Sequence, residues 1–572
     1  MAQFEIKDGV AIIPNGTTEI TAWSFKGCES LKKVIIPDSV TKIGESAFYD
    51  CTSLESIIIP DSVTSIGKYA FNHCTSLESI TIPNSVTNIE EGAFSDCTSL
   101  KSIIIPKSVT NIGYRAFSDC TSLDGITIPD SITSIGDDAF EGCTSLENIV
   151  VADGNPVYDS REGCNAIIET TINTLIKGCK TTVIPESVTE IGSSAFRGCT
   201  SFENITIPES VTKIDSCAFS GCTSLKSITI PESVTEIGWI AFNGCTSLES
   251  IVVADGNPVY DSREGCNAII ETATNTLIKG CKTTVIPESV TKIGMHAFYG
   301  CTSFENITIP ESVTKIDSCA FSGCTSLKSI TIPESVTEIG GSAFSGCTSL
   351  ENITIPESVT NIGNYAFDGC TSLENITIPD GVTEIGWGAF EGCTSLESIT
   401  IPDRLTSIGG DAFKGCSSLA SVTIPESVTT IGRFAFCGCT SLESITIPEL
   451  VTEIEIGLAA FSDCTSLKSI IIPESVTEIY YEAFRDCTSL ESIVIHKGVK
   501  EIKGYAFAGC TSLTTLTFPI GVNKIEERVF DKCSALAVIN VPAGKADYYK
   551  KRLPRRLHDK IVELAPEKKT KK

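Results

Sequence analysis

The sequence predicts a repeat solenoid: a β-solenoid of about 20–22 coils with one long parallel sheet, second short strands and short helical turns. Three observations carry this. Cysteine recurs every 23 residues, at Cys28, Cys51, Cys74, Cys97, Cys120 and Cys143, at Cys199, Cys222 and Cys245, and in even steps from Cys301 to Cys439. After one step of 25 to Cys464 the spacing returns to 23 through Cys487, Cys510 and Cys533. The phrase GCTSLESITIPESVTEIG returns with that column along almost the whole chain. The apolar positions of each unit are fixed as well, Leu54, Ile57, Ile59, Val63, Ile66, Ala70, Phe71 and Cys74 in one of them. Twenty of the 27 cysteines thus belong to one repeat. The about three or four domains that length alone suggests become a single array.

Each element follows from the residues of one unit. Ile57 and Ile59 alternate with polar neighbours, the period of a half-buried strand. Pro60 ends that strand because it has no ladder donor. The β-branched run SVTSI gives a second short extended piece. Ala70, Phe71 and Cys74 have the spacing of one helical turn. Eight apolar side chains cannot be buried by one such unit. Copies stacked about 4.8 Å apart place each residue over its counterpart and close a continuous core. Two gaps of 56 residues each hold one ordinary unit and one of 33, with the sequence IVVADGNPVYDSREGCNAIIET…NTLIKGCKTTVIP. The stretches Ile149–Ser250 and Ile251–Asn352 are near copies, 102 residues apart with ten differences, which indicates an internal duplication.

The segment LESIIIPDSVTSIGKYAFNHC, Leu54 to Cys74, and its copies resemble the BspA-like class of leucine-rich-repeat proteins over roughly Val10 to Pro542. The resemblance implies a leucine-rich-repeat β-solenoid. It also implies that the 33-residue units are β-hairpin coils, and that the end is a C-terminal cap with a short helix near Ala546–Arg552 and a last strand near Ile561–Leu564. The expected organisation is an atypical N-terminal coil or cap at 1–27, the array at 28–542 with longer coils at 149–181 and 251–283, and a cap with a basic tail at 543–572. The class implies protein binding and adhesion at microbial cell surfaces, with host or matrix proteins as partners. The start, MAQFEIKDGVAIIPNGTTEI, has no signal-peptide pattern, which reads as a cytoplasmic location, whereas the resemblance implies a surface or secreted one.

Charge narrows the partners. The formal net charge is −28. Lys545 to Lys572 hold eleven basic and four acidic residues, so the body before them carries −35. An acidic body disfavours nucleic acid and anionic membranes. No apolar run reaches the roughly 18 residues of a membrane-crossing helix. The basic stretch KKRLPRRL, Lys550–Leu557, has three readings: contact with anionic lipid or nucleic acid or an import signal, pairing with the acidic body of a neighbour, or part of a cap.

Chemistry is sparse. Four His occur, none in a distinctive motif, and there is no CxxC, HExxH, GxSxG, Walker loop or GxGxxG after a strand. Carboxylates come as uniform ladders, whereas acid–base pairs need two carboxylates in unlike environments. We expect no enzyme, no cofactor and no metal. The cysteine column reads as a ladder of reduced thiols serving as core, with Cys164/Cys179 and Cys266/Cys281 the better candidates for bridges under oxidation. The loop DGNPVYDS reads either as a turn or as a cation site through Asp153, Asn155 and Asp159.

Function in a solenoid lies on its outward columns. One is a ribbon of hydroxyls that includes Thr331, Thr354, Thr377 and Thr400, read as strand-forming residues or as a docking floor. Acidic columns border it, read as a solvated face or as attraction for a basic partner. The third candidate is the edge between IG and AF, where the otherwise uniform repeats differ: Tyr69, Tyr114, Arg115, Trp239, Trp387 and Arg433. Exposed Trp, Tyr and Arg are the usual anchors of protein interfaces. The leading expectation is a non-catalytic protein–protein interaction and adhesion module that binds by distributed contacts. The alternative is an intracellular structural scaffold without a dedicated ligand, its turn edge merely unconstrained.

Overall fold

A computed structural model describes residues 4–449, 451 and 458–565. The chain divides into two compact units, 1–272 and 273–572, built from the same coil. There are about 24 turns, a few more than the predicted 20–22.

One coil shows how the sequence becomes structure. The long strand is short in residues, Ser79–Thr81 in one coil and Ser102–Ile104 in the next, and the two are parallel and in register. Its central Ile faces the core and its flanking residues face solvent. The second strand, Asn88–Ile89, pairs in the same way with Asn111–Ile112. Between this strand and Cys the chain makes three tight turns. The N–H groups of Ala70, Asn72 and Cys74 bond carbonyls three residues back, at Gly67, Tyr69 and Phe71. The intervening N–H groups of Tyr69, Phe71 and His73 bond Glu91, Ala93 and Ser95 of the next coil. Three-residue closure releases every second N–H for stacking, which an α-helix would have consumed internally.

Shape inside the coil is set by Phe and Cys. From Phe25 to Phe140, neighbouring rings stand 5.1–5.5 Å apart with planes within 7°. From Phe298 to Phe413 in the second unit they stand 5.1–5.5 Å apart within 5°. Most column thiols are buried and donate to a Phe carbonyl of the preceding coil, Cys74 to Phe48 and Cys97 to Phe71 at 3.2 Å, whereas Cys199 and Cys301, after the hairpins, face the Gly178 and Gly280 carbonyls. Cysteine suits this place because it is small and apolar, yet satisfies a buried carbonyl. All 27 thiols are unbridged. Cys164 approaches the Ala166 carbonyl at 3.9 Å and Cys179 the Asn165 carbonyl at 3.4 Å.

The first 33-residue unit forms an antiparallel hairpin, Ala166–Glu169 against Thr174–Gly178. The DGNPVYDS loop is a turn held by its own side chains. Asn155 spends its amide on the Pro129 and Ile132 carbonyls and its oxygen on the N–H groups of Val157 and Tyr158. Asp159 is engaged by Arg161 at 2.9 Å. Among the described residues no group of His, Cys, Asp and Glu has a metal-holding arrangement, and no helix is long and apolar enough to cross a membrane.

At the start, Ile6–Lys7 pairs antiparallel with Val10–Ile12, and Phe4 stacks on Phe25. At the end a helix spans Ala546–Lys550 and the last strand, Ile561–Glu563, pairs parallel with Val538–Val541. Tyr549, Leu553 and Leu557 are buried there, Tyr549 stacking on Phe518 at 4.9 Å. Val562 and Leu564, which the cap reading of the basic stretch would place inside the cover, are exposed.

Candidate interaction surface

The hydroxyl ribbon lies where the repeat places it. Thr331 is in register with Thr354, and Thr377 with Thr400, all exposed at the end of their strands. The column beside them is knitted by its own hydrogen bonds, Ser398 to Asn375 at 2.8 Å and Ser329 to Asn306 at 2.7 Å. In four coils of the first unit the Thr position carries exposed Ile12, Ile35, Ile58 and Ile104, while Thr81 and Thr127 keep the hydroxyl. The acidic column is relieved at intervals by lysines, Lys101 to Glu78 at 3.0 Å and Lys328 to Glu305 at 2.9 Å.

The turn edge is chemically richer. Two residues of every ordinary turn hold a left-handed backbone, one drawn from a narrow set of residue types and the other from a wide one. Just before Cys stand Gly27, Asp50, His73, Asp96, Asp119 and Gly142, then Gly in most later coils, with Asp463, Asp486 and Lys532 near the end. Gly and Asp tolerate this conformation. Four residues earlier the type varies from coil to coil: Ser46, Gly92, Asp138, Cys217, Gly388 and Ala459 in some, and Trp23, Tyr69, Arg115, Ile240, Tyr365, Phe434 and Tyr505, at φ of 49° to 63°, in others. For an L-residue that backbone costs about 1–2 kcal/mol, and a β-branched residue such as Ile240 is an outlier there.

The expected anchors occupy this edge and its neighbouring column. Trp239 is 61% exposed and Trp387 45%. Arg433 lays its guanidinium 4.6 Å from the centre of the Trp387 ring, and Arg115 lies 5.2 Å from the Tyr114 ring. Arg115 also faces Glu141 at 3.3 Å. Tyr69 is the most constrained. Its ring lies where a Cβ on Gly92 would be, and its hydroxyl donates to Glu91, which pushes the phenol up to about 12. Where the first copy has Trp239 its duplicate has Gly341, and a groove of about 580 Å³ opens there beside Asp317, Glu338 and Asn364. Trp23, which the sequence reading passed over, belongs to the same edge, with Lys26 4.4 Å above its ring. Its place three residues after Ile20, matching Tyr69 after Ile66, is the signal that marks it.

Six stretches, 10–124, 66–167, 176–264, 276–393, 337–457 and 454–551, match the family model described as BspA type leucine rich repeat region. Among solved structures, the chain is similar to a leucine-rich repeat protein from Eubacterium ventriosum at 23% identity, over 63% of this chain and 82% of that one, with a TM-score of 0.38. It is similar to a leucine rich cell surface protein from Faecalibacterium prausnitzii at 28% identity, over 77% and 92%, with a TM-score of 0.35. It is also similar to a leucine-rich repeat protein from Bacteroides ovatus at 25% identity, over 85% and 92%, with a TM-score of 0.31. No curated protein matches it.

Proposed function

The chain belongs to the BspA-type leucine-rich-repeat family, and from that premise we propose that it is a non-catalytic protein-binding and adhesion module whose turn edge makes the specific contacts. Repeats of this kind are typically protein-interaction modules, and the fold is typically non-enzymatic. The observation that carries the reading is the contrast between the two left-handed columns. Where only the backbone matters, the residue before Cys is Gly or Asp in nearly every turn. On the turn edge the same backbone holds Ser, Gly, Asp, Cys or Ala in some coils and Trp23, Tyr69, Tyr365, Phe434 and Tyr505 in others. Bulky residues kept in a costly conformation and lacking uniformity from coil to coil are the pattern of a surface kept for contact. Many such contacts along one array add up to avidity.

The test is binding of the full chain to a panel of purified matrix proteins by surface plasmon resonance. Retention of at least one, with an affinity about tenfold lower for Trp239→Ala/Trp387→Ala at unchanged circular dichroism, is expected. Retention of none, or equal affinity of the double variant, overturns the assignment to this edge. Protease shaving of intact cells separates the adhesion role from a cytosolic scaffold.

A further inference from the structure

The first 33-residue coil takes a short cut at the turn edge. In the coil that follows, Cys199 comes eight residues after Ile191. In the hairpin coil, Cys179 comes four residues after Leu175, which is in register with Ile191. Gly178 N–H bonds the Ala195 carbonyl at 3.0 Å, so the chain from Leu175 runs straight across a level where its neighbours loop outward. The Phe196 ring fills the place where a Cβ on Gly178 would stand. The missing loop leaves a cleft of about 510 Å³ in the first unit. Glu141 and Arg197, each the residue after its own Phe, reach across it and pair at 2.8 Å.

Two groups of the hairpin strand lie in this cleft without partners. Lys177 is 4% exposed and its Nζ has no hydrogen-bond partner. Thr174 is 5% exposed and its Oγ1 has none either. Buried ammonium groups are ordinarily paired, since an unpaired one forfeits its hydration for nothing. The thiols of Cys143 and Cys199 lie close enough to feel the Lys177 charge, but burial pushes both up, Cys143 to about 12, so neither supplies a counter-charge. The remaining wall is acidic: Asp138, Glu169, Glu190 and Asp215 all line it and are more exposed than Lys177. The cleft therefore joins one buried cation to an anionic rim, and its volume lies in the range of small-ligand sites.

We propose that this cleft binds an α-carboxylate carried on a cationic residue, either a free basic amino acid or a peptide ending in one. The carboxylate rests on Lys177 Nζ and Thr174 Oγ1 once these side chains turn from their buried positions into the cleft, and the cationic group faces the acidic rim. The site lies within one unit and needs no protein partner, so it stands or falls apart from the adhesion reading.

Isothermal titration of the full chain tests it, with L-arginine, Gly-Gly-Arg and the C-terminal amides of both. Binding of either acid, with its amide about tenfold weaker or worse, is expected, and which acid binds names the source. Lys177→Met, close in volume, and independently Thr174→Val, should each lower that affinity with thermal stability kept. Absence of binding up to about 10 mM, equal binding of acid and amide, or undiminished binding in both variants overturns the proposal.

Discussion

Phe71 and Phe94, 23 residues apart in the chain, lie with ring centres 5.5 Å apart and planes 3° apart. Phe94 stacks equally on Phe117 at 5.5 Å. Removing it breaks two stacks and empties a buried ring site. Phe94→Ala should cost about 3–5 kcal/mol. Coils touch only their neighbours, so the loss should be local. Hydrogen exchange should quicken around residues 67–120 and stay unchanged around Phe413. A cost below about 1 kcal/mol would mean that the ring column does not hold the core.

The thiol column predicts a stability that fails in alkali. Burial pushes Cys97 and Cys416 up to about 12 from an ordinary 9.0. Below pH 9 the thiols are neutral in both folded and unfolded chains, and their contribution is complete. Between pH 9 and 12 the unfolded chain releases protons that the folded chain retains. Each of these two thiols then removes about 1.4 kcal/mol of stability per pH unit. The melting temperature should hold to pH 8 and fall steeply above 9, and Cys→Ala at several column positions should flatten the fall. An even melting temperature from pH 8 to 11 would contradict burial. A thiol reagent at pH 8 should reach the half-exposed Cys28, Cys217, Cys319 and Cys437 before the rest.

Backbone strain on the turn edge is open to the same kind of measurement. Ser342 sits at φ 53°, in the column that holds Ile240 in the duplicate. Ser342→Gly should raise stability by about 0.5–1 kcal/mol, the relief of left-handed strain less the added freedom of the unfolded chain. Gly346→Ala, at φ 70° before Cys347, should lower it by about 1–2 kcal/mol. Urea denaturation of both variants decides the matter. A loss for Ser342→Gly would remove the strain argument for the edge.

The parts legible in the sequence are those that translation repeats. A residue that must lie over its own copy must recur, so Phe71, Cys74 and Ile57 declared the core, and Pro60 the strand end. Trp239 and Trp387 stood out because everything around them is constant. The left-handed column of the turn edge was not legible, since Tyr69 or Ile240 carries no mark of positive φ and ordinary preference argues against it. The cleft was hidden for a different reason. It arises from four missing residues between Leu175 and Cys179, a shortfall masked by the greater total length of the hairpin unit. Lys177, a residue type that is almost never buried alone, gave no hint of its burial.

Charge supplies the last prediction. Lys328 lies between Glu305, which it meets at 2.9 Å, and Glu351, which also raises its pKa. Lys328→Glu would join Glu305 to Glu351, Glu374 and Glu397, five carboxylates in succession, on a body already at −35. Like charges in neighbouring strands repel, and salt screens them within about 10 Å at 0.1 M. The variant should melt lower than wild type at 10 mM NaCl, with at least about half of that deficit gone by 0.5 M, whereas Lys328→Gln should show a smaller deficit. Wild type itself should melt higher as salt is added, because self-repulsion of the acidic body is relieved. A deficit that ignores salt would mean that Lys328 acts through the packing of its alkyl chain, and that the acidic column does not strain the coils beneath it.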